Sequence, residues 1–149
     1  MEWADAEVWR AIARHTGAPD EKLRTIIVHI HNVQRGFLNV WTGKPMAFRE
    51  GEEFASYAEV QEWARPFYGE AHDFLGSVDE ARLTEPLEMP WVAGRDFAKP
   101  AMNETMFQLT SHSTYHRGQA NMRLRQLGVD PRNVDYIHWI WKGRPEPRW

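Results

Sequence analysis

Two imidazoles stand one helical turn apart in the run His112-Ser113-Thr114-Tyr115-His116-Arg117-Gly118-Gln119. Side chains at i and i+4 of a helix lie one above the other on the same face, so both rings can reach a single metal ion. Such a pair is half a metal site and needs at least one further ligand from another element. A histidine at the margin of a core is also a common hydrogen-bonded amphipathic side chain, so the pair gains meaning only from the helices that position it.

Those helices can be traced along the chain, which has no repeat or low-complexity region. A first helix is predicted over about Ala4 to Arg14, with Gly17 just beyond it as a natural terminator. Pro19-Asp20-Glu21 opens a second helix that runs to about Val40 and stops at Thr42-Gly43-Lys44-Pro45. Its core face is Leu23, Ile26, Ile27, Ile30, Val33, Phe37 and Trp41 at helical spacing. Ser56 and Glu59 form a capping box for a third helix carrying Val60, Trp63, Phe67, Ala71, Phe74 and Leu75, in which Pro66 predicts a kink or a displaced start. Thr84 to Pro100 reads as a long ordered loop with a short extended piece near Met89-Pro90-Trp91-Val92. Asn103 or Thr105 is expected to cap a fourth helix that continues to Leu127 and ends at Gly128. The tail beyond Pro131, with Tyr136, Ile137, Trp139, Ile140 and Trp141, is too apolar to dangle and should pack on the bundle or on another subunit.

Helix geometry sorts the seven histidines. On the second helix His29 falls roughly 80° from the apolar centre and His31 about 120° away on the other side, so His29 borders the core and His31 is expected to look outward. On the fourth helix Leu109, Ala120, Leu124 and Leu127 mark the core side, with His112 and His116 on its margin. Packing these two helices together can bring His29, His112 and His116 to one point at the mouth of the core, where bundles build metal sites. His15 and His138 follow no such geometry, and His72, near aromatic residues on the third helix, is a weaker spare candidate.

Composition narrows the classes of function. One domain over residues 1–149 fits a chain long enough for a single packed core and too short for two. Eight Trp, 7 Phe and 4 Tyr supply large flat side chains for that core. With 18 basic residues against 21 acidic ones the net charge is -3, which attracts no phosphate backbone, so nucleic acid is not expected as a partner. The chain has no cysteine, which removes disulfides, thiolate zinc sites and a cysteine nucleophile. Met1-Glu2-Trp3-Ala4-Asp5 lacks the basic and apolar segments of a secretory signal, and no apolar stretch reaches membrane-spanning length. The expectation is a cytoplasmic protein without a membrane partner.

The run from His112 to Gln119, followed by Leu124-Arg125-Gln126-Leu127-Gly128, Pro131 and Asp135-Tyr136, closely resembles the fourth-helix signature of the DinB/YfiT-like metal-binding proteins of the DinB superfamily. Val28-His29-Ile30, with Phe37-Leu38 eight residues on, is similar to that family's other ligand segment. The resemblance covers about Asp20 to Tyr136. It implies an all-α four-helix bundle with one cross-over connection, a homodimer, and a divalent metal held by His29, His112 and His116. Members often carry Asn just before the first histidine of the pair, where this chain has Ser111.

Three neutral imidazoles without carboxylate or thiolate suit zinc or nickel better than magnesium or calcium, and three protein ligands leave a position open for water or substrate. Gln119 and Arg123 continue the histidine stripe on later turns, Gln119 as a group that can orient a ligand and Arg123 as a holder of an anionic substrate group. Tyr115 on its flank is a possible proton donor. Two functional classes follow. The first is an enzyme that activates a low-molecular-weight thiol or water for a small-molecule substrate, as characterised relatives that use bacillithiol or mycothiol do. The second is a metal-binding or stress-associated protein without turnover.

Overall fold

The computed structural model describes residues 1–149 and is helical throughout, with a single antiparallel bridge, Pro86 to Ala101, as its only β pairing. Seven helices follow in order: α1 Glu2–Ile12, α2 Glu21–Thr42, α3 Tyr57–Ala64, α4 Pro66–Ser77, α5 Glu80–Leu83, α6 Met102–Gln126 and α7 Tyr136–Trp141.

Side-chain pairs fix how the helices run. Asp20 meets Arg123, His29 meets His112, and Trp41 donates to the Thr105 hydroxyl, so α2 and α6 are antiparallel along their full lengths. Asp20 also meets Tyr57, Arg35 meets Glu70, and Trp41 stacks on Phe74, so α2 and the α3–α4 unit run parallel. Two parallel helices in succession require a connection that returns along the bundle, and residues 43–56 make it. Fourteen extended residues reach about 46 Å, more than the roughly 33 Å length of α2, so the return is feasible. This is the cross-over expected of the fold.

Local chemistry sets the ends. The Asp20 side chain accepts from Leu23 N–H at the start of α2, and Gly43 ends it at φ 68°, a left-handed conformation that glycine adopts without strain. The predicted third helix divides at Arg65, because Pro66 has no N–H to continue the ladder and instead begins α4. The expected cap of α6 by Asn103 or Thr105 is corrected: the helix starts at Met102, and Glu104 reaches back to the Ala101 N–H at 2.7 Å. Thr105 is buried and bonds Met102 O, which removes it from the surface role of a cap. Pro90–Val92 forms a single 3₁₀ turn where an extended piece was expected, as Pro90 suits the first position of a turn.

His31 is corrected as well. It is 3% exposed, accepts from Trp9 Nε1 at 3.2 Å and bonds the Gln34 side chain at 2.7 Å. The sequence shows α2 with one apolar face, but α1 covers a second side and Trp63 of α3 closes on the same ring. The tail partly meets its expectation. Trp149 bonds Glu2 and packs on Tyr68, and Lys142 lies over Trp3, while Tyr136, Ile137 and Trp141 of α7 stay exposed.

Beneath α1 lies a buried polar network that patterning does not disclose. Asp5, 3% exposed, accepts from Arg117 at 3.0 Å, Tyr68 at 2.7 Å and Gln34 at 2.8 Å. Burial alone would raise the Asp5 carboxyl pKa, but Arg117, with smaller help from His31 and Tyr68, holds it below the usual carboxylate range. Replacing Asp5 by Ala leaves Arg117 buried without its counter-charge, and the expected loss is about 3–5 kcal/mol, measured by urea unfolding at pH 7.

Candidate metal centre

His29 is on the middle of α2, and His112 and His116 occupy successive turns of α6, so the antiparallel register of the two helices decides whether the rings meet. They do. His29 Nε2 lies 3.0 Å from His112 Nε2, and one ligand atom from each of the three rings falls within 4.8 Å of the other two. Ring centroids are 5.2 Å apart for His29 and His112, 4.5 Å for His29 and His116, and 4.4 Å for His112 and His116. Nitrogens bound tetrahedrally to zinc at 2.0–2.1 Å would be about 3.3 Å apart, close to the 3.0 Å between His29 and His112.

The electrostatics favour the protonation state that binds metal. Burial, and then the neighbouring histidines, push the His29 pKa below that of an ordinary imidazole, and His112 is lowered by burial and by His116. Two ring nitrogens facing at 3.0 Å repel through their lone pairs unless a proton or a cation lies between them. His116 Nδ1 pairs with Gln119 Oε1 at 2.7 Å, and since an amide oxygen only accepts, the ring must carry its proton on Nδ1. Its Nε2 lone pair is thereby left for a metal, the arrangement by which outer hydrogen bonds orient ligating histidines.

The other expected site residues divide. Gln119 occupies the supporting place just described. Tyr115 is exposed beside the centre with its ring edge-on to His116 at 5.0 Å. Arg123 does not present its charge to the site: Nε and Nη2 hold Asp20 at 2.9 and 2.5 Å, and Nη1 holds Gln126. The Asp20 pKa drops to about 2, chiefly through that hydrogen bond from Arg123, which marks a fixed ion pair at the start of α2. His72 approaches Glu2 at 3.4 Å, and His15 bonds the Ala18 carbonyl, so neither joins the centre.

Sequence reasoning missed the cleft beside the centre. About 1150 Å³ in volume, it is bordered by His29 and His112, with Phe37 of α2, Phe48 of the crossing connection, and Met89 and Trp91 of the loop before α6 as its apolar wall. Phe48 can lie against α2 because residue 36 is glycine: a Cβ there would meet Met46 Cε at 3.1 Å and Phe48 Cε1 at 3.3 Å. The available signal was the presence of Phe48 and Trp91, large apolar residues in segments otherwise typical of exposed loops.

The family model of the DinB family matches residues 7–147. This chain belongs to the DinB family. The match extends beyond the Asp20 to Tyr136 span of the sequence resemblance, taking in α1 from Glu7 onward, with the Trp9 that bonds His31, and nearly all of the tail. No curated protein matches the sequence. Family membership and the three clustered imidazoles are together compatible with metal binding by this DinB protein.

Single replacement of His29, His112 or His116 by Ala should each remove most of the bound metal, read by elemental analysis of purified protein. His31→Ala, which alters the packing beneath α1, should retain it. Gln119→Ala should weaken affinity about 10–100-fold by freeing the His116 ring, as a competition titration with a chelating dye would measure.

Proposed function

We propose that this protein binds one divalent transition metal ion, zinc or nickel, through His29, His112 and His116 and uses it as an enzyme acting on a low-molecular-weight thiol or water. The observation that carries the reading is the apolar cleft opening directly beside a set of only three protein ligands. A bound divalent ion with an open position lowers the pKa of a coordinated thiol or water and so supplies a nucleophile near neutral pH.

The chain's own residues then hold the reactants. His29 and His112 line both the centre and the cleft, while buried Phe37 and the exposed rings of Phe48 and Trp91 form an apolar wall that suits an apolar or aromatic electrophile. Gln108, one turn before His112 on the same border, is the group placed to hydrogen-bond that substrate. With Arg123 engaged by Asp20, the cations that border the cleft are Arg49 and Lys99, each already paired with a carboxylate, Glu53 and Glu88 respectively. The product is that of a thiol S-transferase-like conjugation: the sulfur forms the new bond and the electrophile's leaving group departs with the electron pair. A cytoplasmic setting fits this reading because small thiols are kept reduced there. A metal-binding protein without turnover needs no substrate-sized apolar cleft, which is why the enzymatic reading is preferred.

Metal-loaded protein should accelerate conjugation of a low-molecular-weight thiol, tested across a panel, to a model electrophile, and His112→Ala should not. Filling the cleft with Gly36→Trp should abolish that acceleration while leaving metal content intact. Full activity in either variant would sink the enzymatic reading.

The metal itself should respond to acid. Protons compete with metal for the same ring nitrogens, and the lowered His29 and His112 values mean the folded rings resist protonation to lower pH than an ordinary imidazole near about 6.5. Occupancy should therefore hold through about pH 6.5 and fall below it. Metal-stripped protein should also lose stability as pH drops below about 6.5, since the unfolded chain takes up protons that the folded rings refuse. A metal content unchanged from pH 8 to pH 5 would point to carboxylate ligands.

A further inference from the structure

The stretch from Pro45 to Arg49 of the crossing connection makes no backbone-to-backbone hydrogen bond, although it carries the Phe48 ring of the cleft wall. Phe48 is 53% exposed, so packing alone does not fix its place. Two asparagines of α2 bracket the stretch instead. Asn39 Nδ2 donates to the Pro45 carbonyl at 2.9 Å. Asn32 makes two bonds to a single residue: its Nδ2 donates to the Arg49 carbonyl at 2.7 Å, and its Oδ1 accepts from the Arg49 N–H at 2.9 Å.

Helix geometry explains why these two positions serve. Seven residues are nearly two full turns, so Asn32 and Asn39 stand about 20° apart on one side of α2. Gly36 lies between them in sequence, and Phe48 Cε1 and Cζ sit 3.3 and 3.6 Å from where its Cβ would be. A carboxamide offers a donor and an acceptor side by side, which suits the N–H and C=O of one residue; of side chains of similar size, ionised Asp cannot donate and Leu can do neither. Asn32 also follows His29 by three residues and borders the same cleft, so the clamp and the imidazole stand on adjacent turns of one helix. The spacing between that imidazole and the aromatic wall is thereby set by α2.

We infer that Asn32 is a positioning residue that fixes Phe48 in the cleft wall and so favours flat aromatic electrophiles over small polar ones. The inference rests on the enzymatic reading of the cleft and adds to it the residue through which specificity is held. Asn32 acts through Phe48 and takes no part in the bond changes.

Asn32→Leu keeps the size of the side chain and removes both bonds. In metal-loaded protein, with a thiol that supports turnover, it should raise KM for 1-chloro-2,4-dinitrobenzene about 10-fold with a smaller effect on kcat. Preference for that substrate over iodoacetamide should fall by a similar factor. Two measurements do not depend on turnover. Hydrogen exchange at the Arg49 amide, followed by NMR, should speed up, and the dissociation constant of unreactive 2,4-dinitrotoluene, read by tryptophan quenching, should rise about 10-fold. In a Phe48→Ala background, Asn32→Leu should weaken dinitrotoluene binding by less than about twofold further, because the ring that it positions is gone. If no thiol is conjugated the enzymatic reading fails by itself, and the exchange and binding results still decide the clamp. An Arg49 amide that exchanges no faster, dinitrotoluene binding that is absent or unaltered, or the full Asn32→Leu loss in the Phe48→Ala background would each overturn the inference.

Discussion

The register between α2 and α6 is the constraint on which the rest of the molecule depends. Three contacts hold it along the length of the pair: Asp20 with Arg123 at one end, the histidines in the middle, and Trp41 with Thr105 at the other. A slip of one helix by a single residue would rotate its side chains by about 100° and carry His29 away from the other two rings. The end contacts are chemically unlike, a surface-facing ion pair and a buried indole-to-hydroxyl bond, so neither can be satisfied by the other's partner. Specific polar contacts of this sort select one alignment from the several that apolar packing would tolerate.

Much of this was open to reading from residue types alone. Helical spacing located α2 and α6, and the i, i+4 histidines with the surrounding residues indicated where the third ring lies. What periodicity could not deliver was the number of neighbours each helix has. His31 looked solvent-facing because a helical wheel treats one side as core, while α1 and Trp63 enclose the other. Arg123 shared the histidine stripe by angle, yet its distance along the helix brings it to Asp20, not to the three-histidine cluster. In both cases the wheel gave direction, and the missing information was who stands there.

The Asp5 network illustrates the same limit from the opposite side. Arg117 sits inside the most recognisable run of the chain, between His116 and Gly118, but its side chain points to the back of α6 and is buried against α1. A single segment thus serves two surfaces: one face gathers imidazoles, and the other anchors the helix to a carboxylate in the interior. The short first helix, nearly all of whose residues are buried, is what makes an ion pair at that depth possible, because it completes the shell around it.

The cleft has walls of two different kinds. The side that carries the imidazoles belongs to long helices locked in register, whereas the opposite side comes from the connections on either side of α3–α5, with Phe48 in one and Met89 and Trp91 in the other. Connections tolerate substitution and changes in length far better than a register-locked helix pair. Variation in descendants of such a chain can therefore alter the shape of the cavity without disturbing the imidazoles, and the same three-histidine cluster can be inherited while the space beside it drifts.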